Sequence, residues 1–280
     1  MTSIIREINC AGRKVSLDEP VIMGILNVTP DSFSDGGKWL GKSRAIRHAR
    51  AMQDEGAGII DIGGESTRPG AQAVALQEEL DRVIPVIESI TSEISVPVSI
   101  DTSKPEVMLE AVNAGAGMIN DVYALRQPGA LKVAADLSVP VCLMHMQGQP
   151  RVMQKEPVYD DVVAEVMDFL LDRAKQCELG GIPARNILLD PGFGFGKTFQ
   201  QNLDLFHDLP GLVETGFPVL VGISRKAMIG TLTGRQLKHR VSGSVTAAVL
   251  AVQMGAAIVR VHDVAETRDA LKVLAALGNC

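Results

Sequence analysis

Polar side chains that could bind a small molecule follow short apolar runs along the whole sequence. Asp190 ends the run Ile187-Leu188-Leu189, and residues 191–197 then read Pro-Gly-Phe-Gly-Phe-Gly-Lys. Glycines allow backbone conformations that are closed to other residues, so this loop could aim two aromatic rings at a flat ligand beside the carboxylate. A glycine-rich surface turn is the structural alternative.

Similar polar groups end or follow the other apolar runs. With Asp190, the candidate site residues are Asn27, Arg68, Asp101, Asn120, Lys226, Arg260 and His262. The carboxylates and the Asn120 amide can accept the N–H donors of a heterocycle, whereas arginine and histidine can donate to a phosphate. The amide oxygen of Asn27 could ligate magnesium while phosphate oxygens and water fill the remaining positions.

Each of these residues also has a structural interpretation. The alternatives are helix capping for Asp101 and Asp190, a turn for Asn27, and salt bridges for Arg260 and His262. His145 could be either a hydrogen-bonded core residue or a group that supports the site. Lys226 could be a charge on the rim, a Schiff-base nucleophile or a hydrogen-bonding cation, and its spacing alone does not choose between them.

The apolar runs predict the elements that must position these side chains. Eight short strands, each followed by helical periodicity, indicate a parallel sheet with right-handed crossovers, which closes most naturally as a (β/α)8 TIM barrel. A doubly wound open sheet is the alternative, but the first turn lacks the G-x-G-x-x-G pattern. In a barrel the carboxyl ends of all strands meet at one mouth, so the candidate residues would converge there.

Three local features complete the predicted architecture. Residues 3–18 alternate weakly around Gly12-Arg13, which predicts an N-terminal β-hairpin that covers one barrel end. Residues 103–106, with proline in the first turn, predict a capping box for the third helix, and Asp263 with Glu266 predicts another for the last helix.

Composition limits the class of protein and its partners. The chain has 280 residues, of which 46% are hydrophobic and 21% charged, which favours one domain over residues 1–280. Its net charge of -6 argues against nucleic acid and anionic membranes as partners, so an anionic ligand must meet a local cationic pocket. The four cysteines lack C-x-x-C spacing, and no run approaches the roughly 18 apolar residues of a membrane span. We therefore expect a soluble, cytoplasmic protein.

Four long motifs resemble the signature loops of bacterial dihydropteroate synthases. They are NVTPDSFSDGG at 27–37, DIGGESTRPG at 61–70, DPGFGFGK at 190–197 and GISRK at 222–226. Shorter matches occur at 119–121, 144–148 and 260–263, so the resemblance covers essentially the whole chain. It implies a Mg²⁺-dependent condensation of 6-hydroxymethyl-7,8-dihydropterin diphosphate with p-aminobenzoate, giving 7,8-dihydropteroate and pyrophosphate. It also implies competition by sulfonamides and a homodimer.

The resemblance assigns roles to individual residues. The implied pterin site comprises Asp101, Asn120, Met144, Asp190, Phe195, Gly222 and Lys226. The implied diphosphate site comprises Asn27, Thr67, Arg68, Arg260 and His262, with Asn27 also contacting magnesium. The implied p-aminobenzoate site comprises Phe33, Pro69, Phe195, Ser224 and Lys226, and the implied catalytic residues are Asp101, Lys226, Arg260 and His262.

This set of residues favours a dissociative, SN1-like reaction. The arylamine is neutral at pH 7 and needs no general base, so the main task is to expel pyrophosphate and to stabilise a cationic pterin methylene, for which Asp101 is suited. Direct displacement is the alternative. A methyltetrahydrofolate-corrinoid methyltransferase-like barrel would need no diphosphate site, an aldolase would use Lys226 as nucleophile, and a pterin-binding module would release no pyrophosphate.

Overall fold

The computed structural model describes residues 5–28, 37–66, 72–148 and 157–278. A two-stranded antiparallel sheet consists of β1 (Glu7–Cys10) and β2 (Arg13–Ser16). The strands of a parallel sheet are β3 (Val21–Asn27), β4 (Ile59–Gly63), β5 (Val98–Asp101), β6 (Met118–Asp121), β7 (Val141–Met144), β8 (Ile187–Asp190), β9 (Leu220–Val221) and β10 (Ile258–Val261). The helices are α1 (Gly37–Glu55), α2 (Leu76–Thr91), α3 (Pro105–Asn113), α4 (Ala130–Leu137), α5 (Val162–Leu179), α6 (Phe199–His207), α7 (Leu209–Val213), α8 (Ala227–Thr233), α9 (Val241–Gln253) and α10 (Val264–Leu277).

The parallel sheet forms a barrel. Its strands neighbour one another in the order β8-β7-β6-β5-β4-β3-β10-β9, and a parallel bridge between Leu189 and Val219 connects the two ends of this series. Helices lie between successive strands, as right-handed parallel connections require. The predicted (β/α)8 barrel is therefore confirmed, and the open-sheet alternative is wrong.

The strands are buried on both faces, which explains their continuous apolar sequences. Every residue of β4 to β8 is buried. One apolar cluster lies between strands and helices and includes Ile60, Ile87 and Val107. A second cluster fills the amino-terminal half of the barrel interior with Met23, Ile59 and inward residues of the other strands. Across the described part of the chain, no helix is both long enough and apolar enough to cross a membrane.

The N-terminal hairpin covers the amino-terminal end of the barrel, as the sequence predicts. Ala11 and Gly12 both have positive φ, 51° and 90°, which suits a tight turn between two twisted strands. Ile8, Cys10 and Val15 point into the second apolar cluster. The polar side chains lie at the opposite end of the barrel, where the strands have their carboxyl ends.

The strands include the polar residues that end the apolar runs. Asp101, Asn120, Asp190 and Arg260 belong to strands, and β5 and β8 end at Asp101 and Asp190. The Cα of Asp101 pairs with that of Asn120, and the Cα of Met144 pairs with that of Asp190. Strand backbone therefore positions these polar side chains, which gives them a fixed geometry.

Neither predicted capping box is present. The N-cap of α3 is Lys104, without a side-chain hydrogen bond, because the Ser103 hydroxyl donates instead to Asp121. Asp263 is the N-cap of α10, but its carboxylate pairs with Arg225 and caps nothing. Competing partners from neighbouring strand ends therefore outweigh the local capping pattern. A full capping box does occur at α6, between Thr198 and Gln201.

Candidate active site

A cavity of about 690 Å³ opens at the carboxyl ends of the barrel strands. That volume suits a small-molecule ligand. Eleven of the predicted site residues line it: Asn27, Asp101, Asn120, Met144, Asp190, Phe195, Gly222, Ser224, Lys226, Arg260 and His262. Phe33, Thr67, Arg68 and Pro69 lie outside the described residues.

At the floor of the cavity, Asp101, Asn120 and Arg260 form a network with the Asp61 carboxylate behind them. Arg260 donates through Nε to Asp61 Oδ2 at 2.6 Å and through Nη2 to Asp101 Oδ2 at 2.8 Å. Asn120 Nδ2 donates to the same Asp61 oxygen at 3.1 Å. These residues come from β4, β5, β6 and β10, so the network joins strands that are distant in sequence.

The electrostatic environment of Asp101 disfavours its charged form. Burial raises the pKa of Asp101 to about 7, and the negative charge of Asp61 adds to that increase, whereas Arg260 opposes it. The carboxyl group thus changes charge near neutral pH. A positive charge that developed beside it would be strongly stabilised by the ionised form, since little solvent screens the pair.

Asp190 and Lys226 also line the cavity. Asp190 Oδ1 accepts from the backbone N–H of Gly192 at 2.7 Å, and burial raises the pKa of this carboxyl. Lys226 donates to the carbonyl oxygen of Phe193, and its Nζ lies 4.6 Å from the centroid of the Phe195 ring. Burial lowers the pKa of Lys226 to about 8, so the amine remains mainly protonated at neutral pH.

The glycine-rich loop after β8 is shaped by close backbone contacts. Gly192 has φ +69°, and a Cβ there would lie 1.9 Å from the carbonyl oxygen of His145. Lys197, at the end of the loop, is buried and donates to the carbonyl oxygens of Gly192 at 2.9 Å and Phe195 at 3.2 Å. The loop is therefore a packed structural unit that presents Phe195 to the cavity, not a loose surface turn.

His262 and Ser224 form a hydrogen-bonded pair at the cavity wall. The Ser224 hydroxyl oxygen accepts from the backbone N–H of His262 at 3.1 Å and lies 3.0 Å from His262 Nδ1. This pair holds the His262 ring at the cavity wall, where an imidazole N–H is a suitable donor for an anionic ligand.

The donor chemistry around Asn27 fits a magnesium ion only in part. Asn27 ends β3 and lines the cavity, where its amide oxygen is a suitable hard ligand. Within the described ranges, no group of three or more histidine, cysteine, aspartate or glutamate side chains is arranged to hold a metal. An ion at this place would therefore take most of its ligands from phosphate oxygens and water, as Mg²⁺ commonly does.

The sequence interpretation missed Asp61. Its carboxylate is fully buried and contacts both Arg260 and Asn120. An acidic residue inside an apolar strand is itself an available signal, because aspartate is rarely buried without a partner. His145 is a buried residue that supports the loop: its Nδ1 accepts from Lys197.

Comparison with known proteins gives consistent results over nearly the whole chain. Residues 23–262 match a family described as pterin binding enzyme. The dihydropteroate synthase of Escherichia coli (strain K12) is 52% identical over 265 residues, which cover 95% of this chain and 94% of that protein. These matches include every element that contributes to the cavity.

Three solved structures are similar in both sequence and shape. A Xanthomonas albilineans dihydropteroate synthase with 4-aminobenzoic acid has a TM-score of 0.93 at 56% identity and covers 98% of this chain and 99% of that one. The same organism's enzyme in complex with 7,8-dihydropteroate has a TM-score of 0.89 at 53% identity, with the same coverage. A Yersinia pestis dihydropteroate synthase with a sulfonamide drug has a TM-score of 0.93 at 48% identity, covering 98% and 100%.

Proposed function

Because the chain belongs to the dihydropteroate synthase family of pterin-binding enzymes, we propose that it condenses 6-hydroxymethyl-7,8-dihydropterin diphosphate with p-aminobenzoate. The products are 7,8-dihydropteroate and pyrophosphate, and sulfonamides compete with p-aminobenzoate. The observation that carries the proposal is one cavity that combines hydrogen-bond acceptors on its floor with cationic donors beside them.

The pterin ring binds on the floor. Asp101, Asn120 and Asp190 offer oxygen acceptors to the ring and amino N–H groups, and these acceptors sit in strand backbone that holds them in place. Met144 and Phe195 belong to one small apolar cluster at the cavity and would pack against the flat ring. Gly222 leaves room for the ligand, since even a Cβ there would come no closer than 3.9 Å to other atoms.

The diphosphate binds where the cationic donors lie. Arg260 and His262 donate to phosphate oxygens, and Asn27 would hold Mg²⁺ through its amide oxygen. Thr67 and Arg68 complete this site by resemblance. When bound, the ion would neutralise charge on the leaving group.

The p-aminobenzoate ring lies nearer the opening. Phe195 offers an aromatic face, while Ser224 and Lys226 offer donors for the carboxylate. The Lys226 ammonium is already oriented by the Phe193 carbonyl and the Phe195 ring. Phe33 and Pro69 are expected to complete the pocket by resemblance.

The reaction then proceeds by loss of pyrophosphate before the new bond is complete. The carbon–oxygen bond breaks, its electron pair leaves with pyrophosphate, and Arg260 and His262 stabilise the departing anion. The resulting pterin methylene cation is stabilised by the ionised Asp101 carboxylate at the dry floor of the cavity. The neutral arylamine attacks this carbon and releases a proton to solvent.

The contacts of Lys226 favour a hydrogen-bonding cation over the Schiff-base alternative. The lowered pKa of about 8 would by itself suit a nucleophilic amine, but Lys226 Nζ already donates to the carbonyl oxygen of Phe193 and lies over the Phe195 ring. Borohydride reduction in the presence of substrate is accordingly expected to trap no adduct.

A coupled pyrophosphate assay tests the proposed function. The purified protein should release pyrophosphate from the dihydropterin diphosphate when p-aminobenzoate and Mg²⁺ are both added, with 7,8-dihydropteroate as the second product. Ligand binding without turnover would instead identify a pterin-binding module and would overturn the proposal. The homodimer implied by the resemblance and the cytoplasmic location indicated by the cysteines remain predictions, and light scattering would measure the oligomeric state.

A further inference from the structure

Asp61 lies behind the cavity and joins two residues that face it. Its side chain is fully buried in β4. A single oxygen, Oδ2, accepts from Arg260 Nε at 2.6 Å and from Asn120 Nδ2 at 3.1 Å. One carboxylate oxygen therefore holds both an arginine beside the proposed diphosphate site and an amide at the proposed pterin site.

The second oxygen of Asp61 argues against a purely structural role. Asp61 Oδ1 is buried and has no hydrogen-bond partner among the described residues. A half-satisfied buried carboxylate stabilises the fold less than an apolar side chain of similar size, and the neighbouring inward position on β4 is the apolar Ile59. Packing alone would therefore favour an apolar residue, whereas the contacts of Oδ2 account for an acid.

The two contacts restrict the directions in which the donors of Arg260 and Asn120 can point. Asp61 and Asp101 together fix the plane of the Arg260 guanidinium, so its remaining N–H groups have a set direction. Because Asn120 donates one amide hydrogen to Asp61, its carbonyl oxygen must face elsewhere.

Resting on the proposed function, we propose that Asp61 is a positioning residue that orients Arg260 for the anion and Asn120 for the pterin ring. Asp61 itself contacts neither ligand. Substitution of Asp61 should therefore weaken the binding of both the anion and the pterin. The loss of anion affinity should depend on Arg260, and the loss of pterin affinity should depend on Asn120.

The experiment uses the full chain and two probes measured separately by calorimetry: 6-hydroxymethylpterin and magnesium pyrophosphate. Asp61→Asn keeps the size and one acceptor oxygen but removes the charge that holds both donors. We expect the dissociation constant of each probe to rise about tenfold, in line with the loss of a charge-assisted contact.

A double-mutant cycle separates positioning from general damage. In the Asn120→Ala background, Asp61→Asn should cause no further loss of pterin affinity, because the residue through which it acts is already gone. Pyrophosphate affinity should still fall in that background, since Arg260 is intact. Additive losses for the pterin, or unchanged affinity in the single variant, would overturn the proposal.

Two controls keep the outcomes distinct. Pyrophosphate release by the unsubstituted protein tests the proposed function independently of Asp61. If circular dichroism shows that Asp61→Asn is unfolded, the cycle is repeated with Asp61→Ser, which keeps a small polar group at the position. Unfolding of both variants would make Asp61 a structural residue and would overturn the positioning role.

Discussion

Lys197 Nζ lies 2.9 Å from His145 Nδ1, and both side chains are buried. Burial lowers the pKa of His145, and the nearby Lys197 charge lowers it further, so the ring is neutral and accepts through Nδ1. The same Nζ also donates to the carbonyl oxygens of Gly192 and Phe195, and burial lowers the pKa of Lys197 well below its usual value. One buried amine thus connects β7 to the loop that presents Phe195.

Lys197→Met should destabilise the protein because it leaves buried acceptors without their donor. We expect the free energy of unfolding to fall by about 3 kcal/mol, the scale of unsatisfied buried polar groups. Urea unfolding followed by circular dichroism measures the change. Lys175→Met on the exposed side of α5 is the matched control, and an equally small effect of both substitutions would contradict the role of Lys197.

Asp101→Asn should lower turnover much more than it weakens pterin binding. The amide keeps an acceptor for the ring but loses the charge that stabilises a cation, so we expect kcat to fall by about a hundredfold or more, and pterin affinity by less than about tenfold. Rapid-quench kinetics and calorimetry measure the two quantities.

Asp121→Asn is the matched control for Asp101→Asn. Asp121 is also a buried carboxylate at a strand end, but it accepts from Ser103 and from the backbone N–H groups of Tyr123 and Leu125. Its substitution should lower stability without a comparable change in kcat. Similar losses of kcat in the two variants would argue against a specific charge effect at Asp101.

The raised pKa of Asp101 predicts a pH-dependent cost to stability. In the unfolded chain this carboxyl loses its proton near pH 4, whereas in the folded protein it keeps the proton until about pH 7. Between these values the folded state binds more protons, so the contribution of Asp101 to the free energy of unfolding decreases as pH rises.

Thermal or urea unfolding at pH 5 and pH 8 tests this sign. Asp101→Asn should gain stability relative to the unsubstituted protein as pH increases across that window, because the amide never ionises. A stability difference that stays constant between the two pH values would show that Asp101 is ionised throughout.

Gly192→Ala should be far more damaging than Gly234→Ala. Both glycines have positive φ, +69° and +66°, so both substitutions carry the cost of a left-handed residue, roughly 1–2 kcal/mol. Only at Gly192 would the new Cβ meet backbone, 1.9 Å from the His145 carbonyl oxygen, while Gly234 has nothing within 4 Å. Expression level and thermal midpoint of the two variants measure the difference, and equal effects would mean that the loop can shift.

The sequence predicts the barrel because short apolar strands alternate with segments of helical periodicity along the chain. The end of β8 is also predictable, because Asp190 is both the first polar residue after the apolar run and the last residue of the ladder. The candidate residues that lie within the described ranges do converge on one cavity. Their common position follows from parallel topology alone, since all strands place their carboxyl ends on one side.

The network behind the cavity could not be predicted from spacing. Asp61 and Arg260 are 199 residues apart, and only the closed ring of strands brings their side chains together. The capping predictions failed for the same reason: Ser103 and Asp263 find partners on neighbouring strand ends that local sequence does not reveal. Contacts between residues distant in sequence depend on how neighbouring strands are aligned in the barrel, and no single motif predicts that alignment.

The hairpin at the amino-terminal end makes the barrel a dead-end chamber. Ile8, Cys10 and Val15 fill that end together with inward side chains of the strands, so the cavity has its opening at the carboxyl ends. A ligand bound at the floor is therefore enclosed by any ligand that binds after it. In the proposed arrangement, a pterin below a bound arylamine cannot depart until the arylamine has left or reacted, so the architecture itself imposes an order of release in which the last ligand to bind leaves first.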